Sequence, residues 1–306
     1  MKNYLLLGLL MMPLTAVATH VGQNINTNAN TAQNLAVCSH HFYAGQAPIL
    51  TGTKGKRLAK NTHELCFDGF AVLHSGVSRT PIWSAEHLTK ARITMAKELT
   101  REDNFHAESR LPAESRAELS DYSRSGFDRG HLAPNGDMAS TSQQFDSFSL
   151  ANIAPQNGTH NRNVWRNIES ATRSLAVKYG EIYVVTGVLF QGKNIATIGT
   201  GVLVPSHFFK AVYIPSIDKA GVYYSVNGEN HDTKILSVAE FSTKTGINPL
   251  PNLKEQTQSV AFDLPMTADD VGTDNQTPKN QNDTNEVSGW VAMVMEILKF
   301  LINILK

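Results

Sequence analysis

Residues 125–173 hold the side chains best suited to chemistry: a histidine and an arginine in one short run, then an amide, a carboxylate and a second arginine at regular spacing. The first run is Ser125-Gly126-Phe127-Asp128-Arg129-Gly130-His131-Leu132-Ala133-Pro134. The second is Asn152-Ile153-Ala154-Pro155-Gln156, followed by Asn161, Trp165, Glu169 and Arg173 at steps of four. An imidazole titrates near neutral pH and can accept a proton there. Guanidinium forks match the oxygens of a phosphate. On an α-helix each step of four turns by only about 40°, so the last four residues share one broad face. An amide, a carboxylate and an arginine are costly to bury without partners. On an isolated helix the pattern reads as a solvated face anchored by Trp165; the Asp-Arg-Gly-His run beside it shifts the balance toward a site.

Asp128-Arg129-Gly130-His131 resembles the signature of the DNA/RNA non-specific endonucleases, sugar-non-specific enzymes with a ββα-metal active site. Asn152-x-x-Pro155-Gln156 resembles their second motif, with Asn161, Trp165 and Glu169 at the family's offsets. Pro81-Ile82-Trp83-Ser84-Ala85-Glu86-His87-Leu88-Thr89 is similar to the family's entry segment. Val185-Thr186-Gly187, and Val204-Pro205-Ser206 leading to Lys210, are similar to its core strands. The similarity spans roughly residues 60–260. It implies an α+β fold, with a central, mainly antiparallel sheet flanked by helices and carrying a ββα-metal site.

Phosphodiester hydrolysis needs an activated water, charge neutralisation on the phosphoryl oxygens and protonation of the leaving oxygen. The resemblance makes His131 the general base and Asn161 the metal ligand. One neutral amide oxygen is a sparse ligand set, which suits Mg²⁺ because that ion keeps most of its waters; Mn²⁺ is the substitute. Glu169, two turns along, would hold a metal-bound water. Asn152 would orient the catalytic groups, a turn-forming Asn before Ala154-Pro155 being the other reading. Arg129 and Arg173 are candidates for phosphate contact, although Arg129 could pair with a carboxylate inside the fold. Arg101 stands about where the family places an arginine that reaches the scissile phosphate, with Arg110 as its rival. Asp128 is read as shaping a strand end and Trp165 as core. Asn157-Gly158-Thr159 fits an N-glycosylation sequon, in a place where a glycan would block the site.

The implied activity is cleavage of DNA and RNA with no small-molecule cofactor, leaving 5′-phosphate and 3′-hydroxyl ends. No helix-turn-helix, zinc finger or aromatic-basic RNA motif stands in the sequence to read bases. Phosphate contacts alone position a polymer without reading it.

The elements that must position these residues follow from local pattern. Asn163 to Lys178 reads as the helix carrying the chemistry. Phe67 to His74 and Pro81 to Leu88 have strand composition, with a turn at Ser75-Gly76 between them. Glu181 to Leu189, Val202 to Val204 with Phe208 to Ile214, and Gly221 to Val226 read as further strands. Val238 to Thr245 is a short helix closed by Gly246. Residues 101–124, dense in charge, read as a long loop, and Thr51 to Lys60 as a basic, solvated one. One nuclease domain is expected over 35–265.

With 306 residues and a hydrophobic fraction of 41%, the chain can bury one large core or two small ones. Its formal net charge of +0 advertises no global field for nucleic acid. Residues 1–18 read as a secretory signal: Lys2, an apolar run from Leu5 to Leu14, and Ala16-Val17-Ala18. Residues 19–34 are too polar to order themselves. In an exported protein, secreted or periplasmic, the only cysteines, Cys38 and Cys66, read as one disulfide, two buried thiols being the alternative. Residues 266–288 read as a flexible linker. Residues 289–306 read as an amphipathic helix with one polar stripe, suited to a membrane surface or to self-association. The alternative function is a membrane- or partner-binding protein with a nuclease-like domain, in which that helix carries the main role.

Overall fold

The computed structural model describes residues 35–230 and 232–272. The expected signal segment, the polar stretch at 19–34, the linker from residue 273 and the tail helix lie outside them.

A disulfide joins Cys38 to Cys66, tying the short 3-10 turns between Leu35 and Gly45 to the first strand of the main sheet. Closing a loop over a sequence separation of 28 stabilises by about 3–4 kcal/mol in the chain-entropy account. The Thr51–Lys60 stretch is not the expected loop but contains a helix, α1, Gly52–Leu58. Its two glycines argue against a helix in isolation. Gly55, however, lies against the backbone of Leu50 and Gly246, where a Cβ would not fit. Tertiary packing overrides propensity here.

Strands β1 (Thr62–Cys66), β2 (Ala71–Ser75) and β3 (Thr80–Thr89) form a meander, followed by helix α2 (Lys90–Ala96). The expected single strand Phe67–His74 is broken by the turn dipeptide Asp68-Gly69, which makes β1–β2 a hairpin. The Phe67 N–H donates to Phe70 O at 2.9 Å across that turn, and the two rings stack at 4.5 Å. Residues 101–118 are largely irregular, as expected, and end in one helical turn at Leu119–Tyr122.

Next come β4 (Asp128–His131), α3 (Thr141–Ser147), β5 (Ile153–Gln156) and the long helix α4 (Arg166–Tyr179). The strands β6 (Glu181–Leu189), β7 (His207–Ile214), β8 (Lys219–Val226) and β9 (Thr233–Leu236) complete the sheet. Helix α5 (Val238–Thr245) ends at Gly246, whose φ of +79° suits glycine as a C-terminal cap.

The main sheet has seven strands in the order β9-β8-β7-β6-β3-β2-β1, every pair antiparallel. Because side chains alternate along a strand, central β6 feeds two cores. Val185 and Leu189 face Trp83, Phe209 and Phe241 beneath α5. Val184 and Val188 face Trp165, Ile168 and Leu175 beneath α4. The folded region runs past the expected boundary at 265: Val271 is buried, and its carbonyl accepts from Lys178 Nζ on α4 at 2.8 Å. Met266–Gly272 is therefore packed chain rather than linker.

His74 is wholly buried on β2, with Nε2 bonded to Ser115 O at 2.9 Å. Burial lowers its pKa from 6.5 to about 4. Between those values the unfolded chain takes up a proton that the folded chain refuses, so stability present above pH 6.5 is lost as the pH falls. Wild-type protein should therefore lose about 1.4 kcal/mol per pH unit relative to His74→Gln between pH 6.5 and 4. Urea titrations across that range check it, and parallel curves would refute the assignment.

Candidate active site

The site is assembled on the β4–β5 ribbon and the helix that follows it. Antiparallel pairing sets Asp128 opposite Gln156, Gly130 opposite Ala154 and His131 opposite Ile153. Gly130 has a steric reason: a Cβ there would fall on the Gln156 side chain. That side chain in turn meets His160 Nδ1 at 2.7 Å, and His160 Nε2 reaches Ser225 on β8 at 2.8 Å. The motif glycine thus lets the ribbon, the helix start and the sheet lock together.

The helix opens with one turn at Gly158–His160, capped by Asn157, whose Oδ1 accepts from the His160 N–H. A π-helical turn at Asn161–Trp165 then leads into α4. Such widened turns shift the helical register. The expected single face is split accordingly. Trp165 is buried against Phe208, whereas Asn161, Glu169 and Arg173 line a cavity of about 450 Å³ with Arg101, Arg129 and His131. Sequence reasoning missed Arg162 and Arg166, which also line it. Their signal was present as a four-residue step directly after Asn161.

His131 sits edge-on to Phe148 at 5.0 Å and tilted against Phe105 at 5.4 Å. Its Nε2 is buried in that apolar wall with no hydrogen-bond partner, which leaves Nδ1 for the cavity. Burial, and then the Arg101 and Arg129 guanidiniums, lower its pKa to about 3. The ring is therefore neutral near pH 7. Arg129 lies over the Phe105 ring at 4.0 Å, a contact the sequence did not signal.

Asp128 is bonded to two of the cavity residues, Asn161 and Arg162. Its Oδ2 accepts from Asn161 Nδ2 at 2.9 Å and from Arg162 Nε at 2.9 Å. Only the NH₂ end of the amide can donate to a carboxylate. Asn161 Oδ1 is therefore the atom presented to the cavity.

Arg101 pairs with Asp103 at 2.6 Å, both side chains more than half exposed. Exposed pairs are worth little, so this guanidinium is free to exchange its partner. Its rival Arg110 is committed elsewhere, bonded to Glu108 and Cys66 O and lying 4.2 Å over Phe67. Arg173 donates to buried Asp137 at 3.0 Å while still lining the cavity.

Asn152 does not line the cavity, so it touches no reacting group and can orient the catalytic groups only through the backbone it holds. It is wholly buried, and Oδ1 accepts from the Ala133 N–H at 2.9 Å and Ser84 Oγ at 2.8 Å. Its Nδ2 donates to Ala133 O and Ser147 O. It thereby staples the chain two residues after His131 to β3.

The floor beneath α4 is polar. Ser84, Thr186 and Lys210 fall in register across β3, β6 and β7, and Lys210 Nζ donates to Thr186 Oγ1 at 2.6 Å. Glu86, wholly buried on β3, accepts from Arg92 at 3.2 Å. Burial raises the pKa of Glu86 and lowers that of Lys210. Burial likewise raises Glu169 to about 7, with Lys210 and Arg173 pulling the other way. Sequence reading placed Lys210 on a strand but assigned it no role. A lone cation inside the apolar run His207–Ile214 was its signal.

The donor set suits a divalent cation. One amide oxygen held by Asp128 and one carboxylate that lacks full compensation in the bare protein are hard oxygen donors in a polar cavity, a set that suits an ion retaining its waters. Among the described residues no three His, Cys, Asp or Glu side chains converge into a protein cage.

The DNA/RNA non-specific endonuclease family model matches residues 51–256. Nuclease C1 of Cunninghamella echinulata var. echinulata is 34% identical over 199 residues, covering 61% of this chain and 75% of its own length. Human mitochondrial endonuclease G is 35% identical over 167 residues, covering 51% of this chain and 54% of its own. The chain spans between about half and three quarters of the length of such relatives. A solved structure of the EndoG/EndoGI complex, described as revealing the mechanism of EndoG inhibition, aligns with a TM-score of 0.57 and 25% identity over 68% of this chain and 96% of that one.

Asn152→Ala would strand buried donors and acceptors on Ala133, Ser147 and Ser84. Unfolding free energy in urea should drop by about 2–4 kcal/mol. An unchanged denaturation midpoint would show that the staple is dispensable.

Proposed function

The chain belongs to the DNA/RNA non-specific endonuclease family, and on that premise we propose an exported, Mg²⁺-dependent enzyme that cuts DNA and RNA without sequence preference, leaving 5′-phosphate and 3′-hydroxyl ends. The observation that carries this reading is the convergence of His131 and an oriented Asn161 amide oxygen on one arginine-lined cavity. Asn161 and Glu169 would hold the cation, which when bound supplies positive charge for the phosphoryl and departing oxygens.

His131 Nδ1 takes the proton of the water that attacks phosphorus; the bond to the 3′ oxygen breaks with its electron pair on that oxygen, which takes a proton from water to become the 3′-hydroxyl. Because that oxygen departs, no 2′-hydroxyl is required and both polymers can serve. Arg101, Arg129 and Arg173 present guanidinium forks to the phosphate. The substrate's own charge also offsets Arg101 and Arg129, two causes of the low His131 pKa, so binding makes the base stronger. Export is supported by the pattern of residues 1–18 and by the Cys38–Cys66 disulfide, which suits an oxidising compartment, secreted or periplasmic.

The test is digestion of supercoiled plasmid and of RNA with Mg²⁺ and with EDTA. Metal-dependent cleavage of both is expected, falling about 10²–10⁴-fold in His131→Ala. Glu169→Gln should raise the Mg²⁺ concentration for half-maximal rate by about 10–100-fold. A folded wild-type protein that cuts neither polymer with any divalent ion overturns the reading.

A further inference from the structure

The basic helix α1 is not used by the mechanism. It places Lys54, Lys56, Arg57 and Lys60, all exposed, within or just beyond two turns, with no acidic residue in its first turn. Two of them face a formed cavity. Lys54 and Arg57 line a space of about 480 Å³ together with Lys244 of α5 and with Leu189, Phe190 and Gln191 at the end of β6.

Among the described residues no carboxylate lines this space. Lys54 Nζ is held by Lys244 O at 2.6 Å, and Lys244 Nζ lies over the Tyr224 ring at 5.3 Å. Gln191 is fixed from both sides: its N–H donates to Ser206 Oγ at 2.8 Å and its Oε1 accepts from Tyr224 OH at 2.7 Å. Three cations, the Phe190 ring and the anchored Gln191 amide around one concavity match a phosphate with its attached sugar and base. In a chain of formal net charge +0, such a patch is a local feature rather than part of a general basic surface.

Its position relates it to the cleavage site. The cavity opens on the α5 side of the sheet, whereas the site helix lies on the other. Both stand at the same end of the strands. Asn227 donates to Pro205 O at 2.8 Å and to Pro155 O at 3.1 Å, and its Oδ1 accepts from the N–H of Asn157, the cap of the site helix. Phe190 packs into the core beneath α4 while also lining the cavity. A strand continuing from the cleavage site around this end of the sheet would meet Phe190 and then the three cations.

We propose that the cavity between α1 and α5 is a second phosphate-backbone site, which holds a long nucleic-acid substrate away from the bond being cut. This rests on the nuclease reading above. It predicts two length classes of substrate: oligonucleotides too short to reach the cavity, cut through the catalytic centre alone, and polymers that use both.

The test compares wild type with Lys54→Gln/Arg57→Gln/Lys244→Gln on an oligonucleotide of about four nucleotides and on long RNA or plasmid, across salt. For the triple variant, kcat and KM on the short substrate should stay within about twofold of wild type. KM on the polymer should rise about 10-fold, and the slope of log KM against log salt should flatten by about 2–3, one phosphate contact per lost cation. Should the triple variant not fold, Arg57→Gln alone should flatten the slope by about 0.7–0.9. Unchanged polymer KM and slope overturn the proposal, as does loss of binding to anionic phospholipid vesicles with polymer kinetics intact. Wild-type protein that cuts neither length would instead sink the nuclease reading itself.

Discussion

Charge buried between the sheet and α4 is the constraint on which the site depends. Glu86, Asp137 and Glu169 meet Arg92, Arg173 and Lys210 there, through contacts at 3.2 Å for Glu86–Arg92 and 3.0 Å for Asp137–Arg173. Desolvating ions is expensive, and removing one member of a buried pair leaves an uncompensated charge that costs about 3–5 kcal/mol. Each partner is therefore held by the cost of losing it. The elements that supply them, β3, α2, the turn before α3, α4 and β7, are held with them. A purely apolar interface could have packed α4 as firmly. It would not have placed a carboxylate at the cavity with cations behind it.

Above this floor the positioning is done by inexpensive contacts in well-chosen places. The Asp128–Arg162 pair is largely exposed on the arginine side and contributes little stability. Its carboxylate nevertheless decides which end of the Asn161 amide faces the cavity. Asn152 works in the opposite regime, fully buried and bonded at both ends of its amide, and holds the chain just beyond His131. One group sets an orientation and the other a position.

Much of this arrangement was legible from residue order, because the features concerned are local. The strands Glu181–Leu189 and Lys219–Val226 and the helix closed by Gly246 follow from alternation and capping. The gathering of His131, Asn161, Glu169, Arg129, Arg101 and Arg173 followed from motif resemblance. What was not legible depends on distant partners. Gly55 lies in a helix because of Leu50 and Gly246. The partner that fixes Asn152 was not legible, because nothing in its neighbourhood reveals that Ser84 lies across from it. The π-turn that buries Trp165 while exposing Asn161 to the cavity has no four-residue signature to find. Glu86 and Lys210 each read as single charges in apolar strands, and their common environment exists only once the sheet has formed.

The antiparallel sheet also imposes an order of assembly. Strand β3 bonds directly to β6, with Thr89 opposite Glu181, so the whole stretch 90–180, ribbon and site helix included, is a loop between two adjacent central strands. Pairing so distant in sequence is slow, because chain entropy must be surrendered before the contacts form. During synthesis the site residues leave the ribosome before β6, β7 and β8, which supply Thr186, Lys210 and Ser225 beneath them. A partial chain ending before β6 holds both motifs of residues 125–173 but lacks Thr186, Lys210 and Ser225 beneath them. The surroundings that the site residues need are thus complete only once β6, β7 and β8 have joined the sheet.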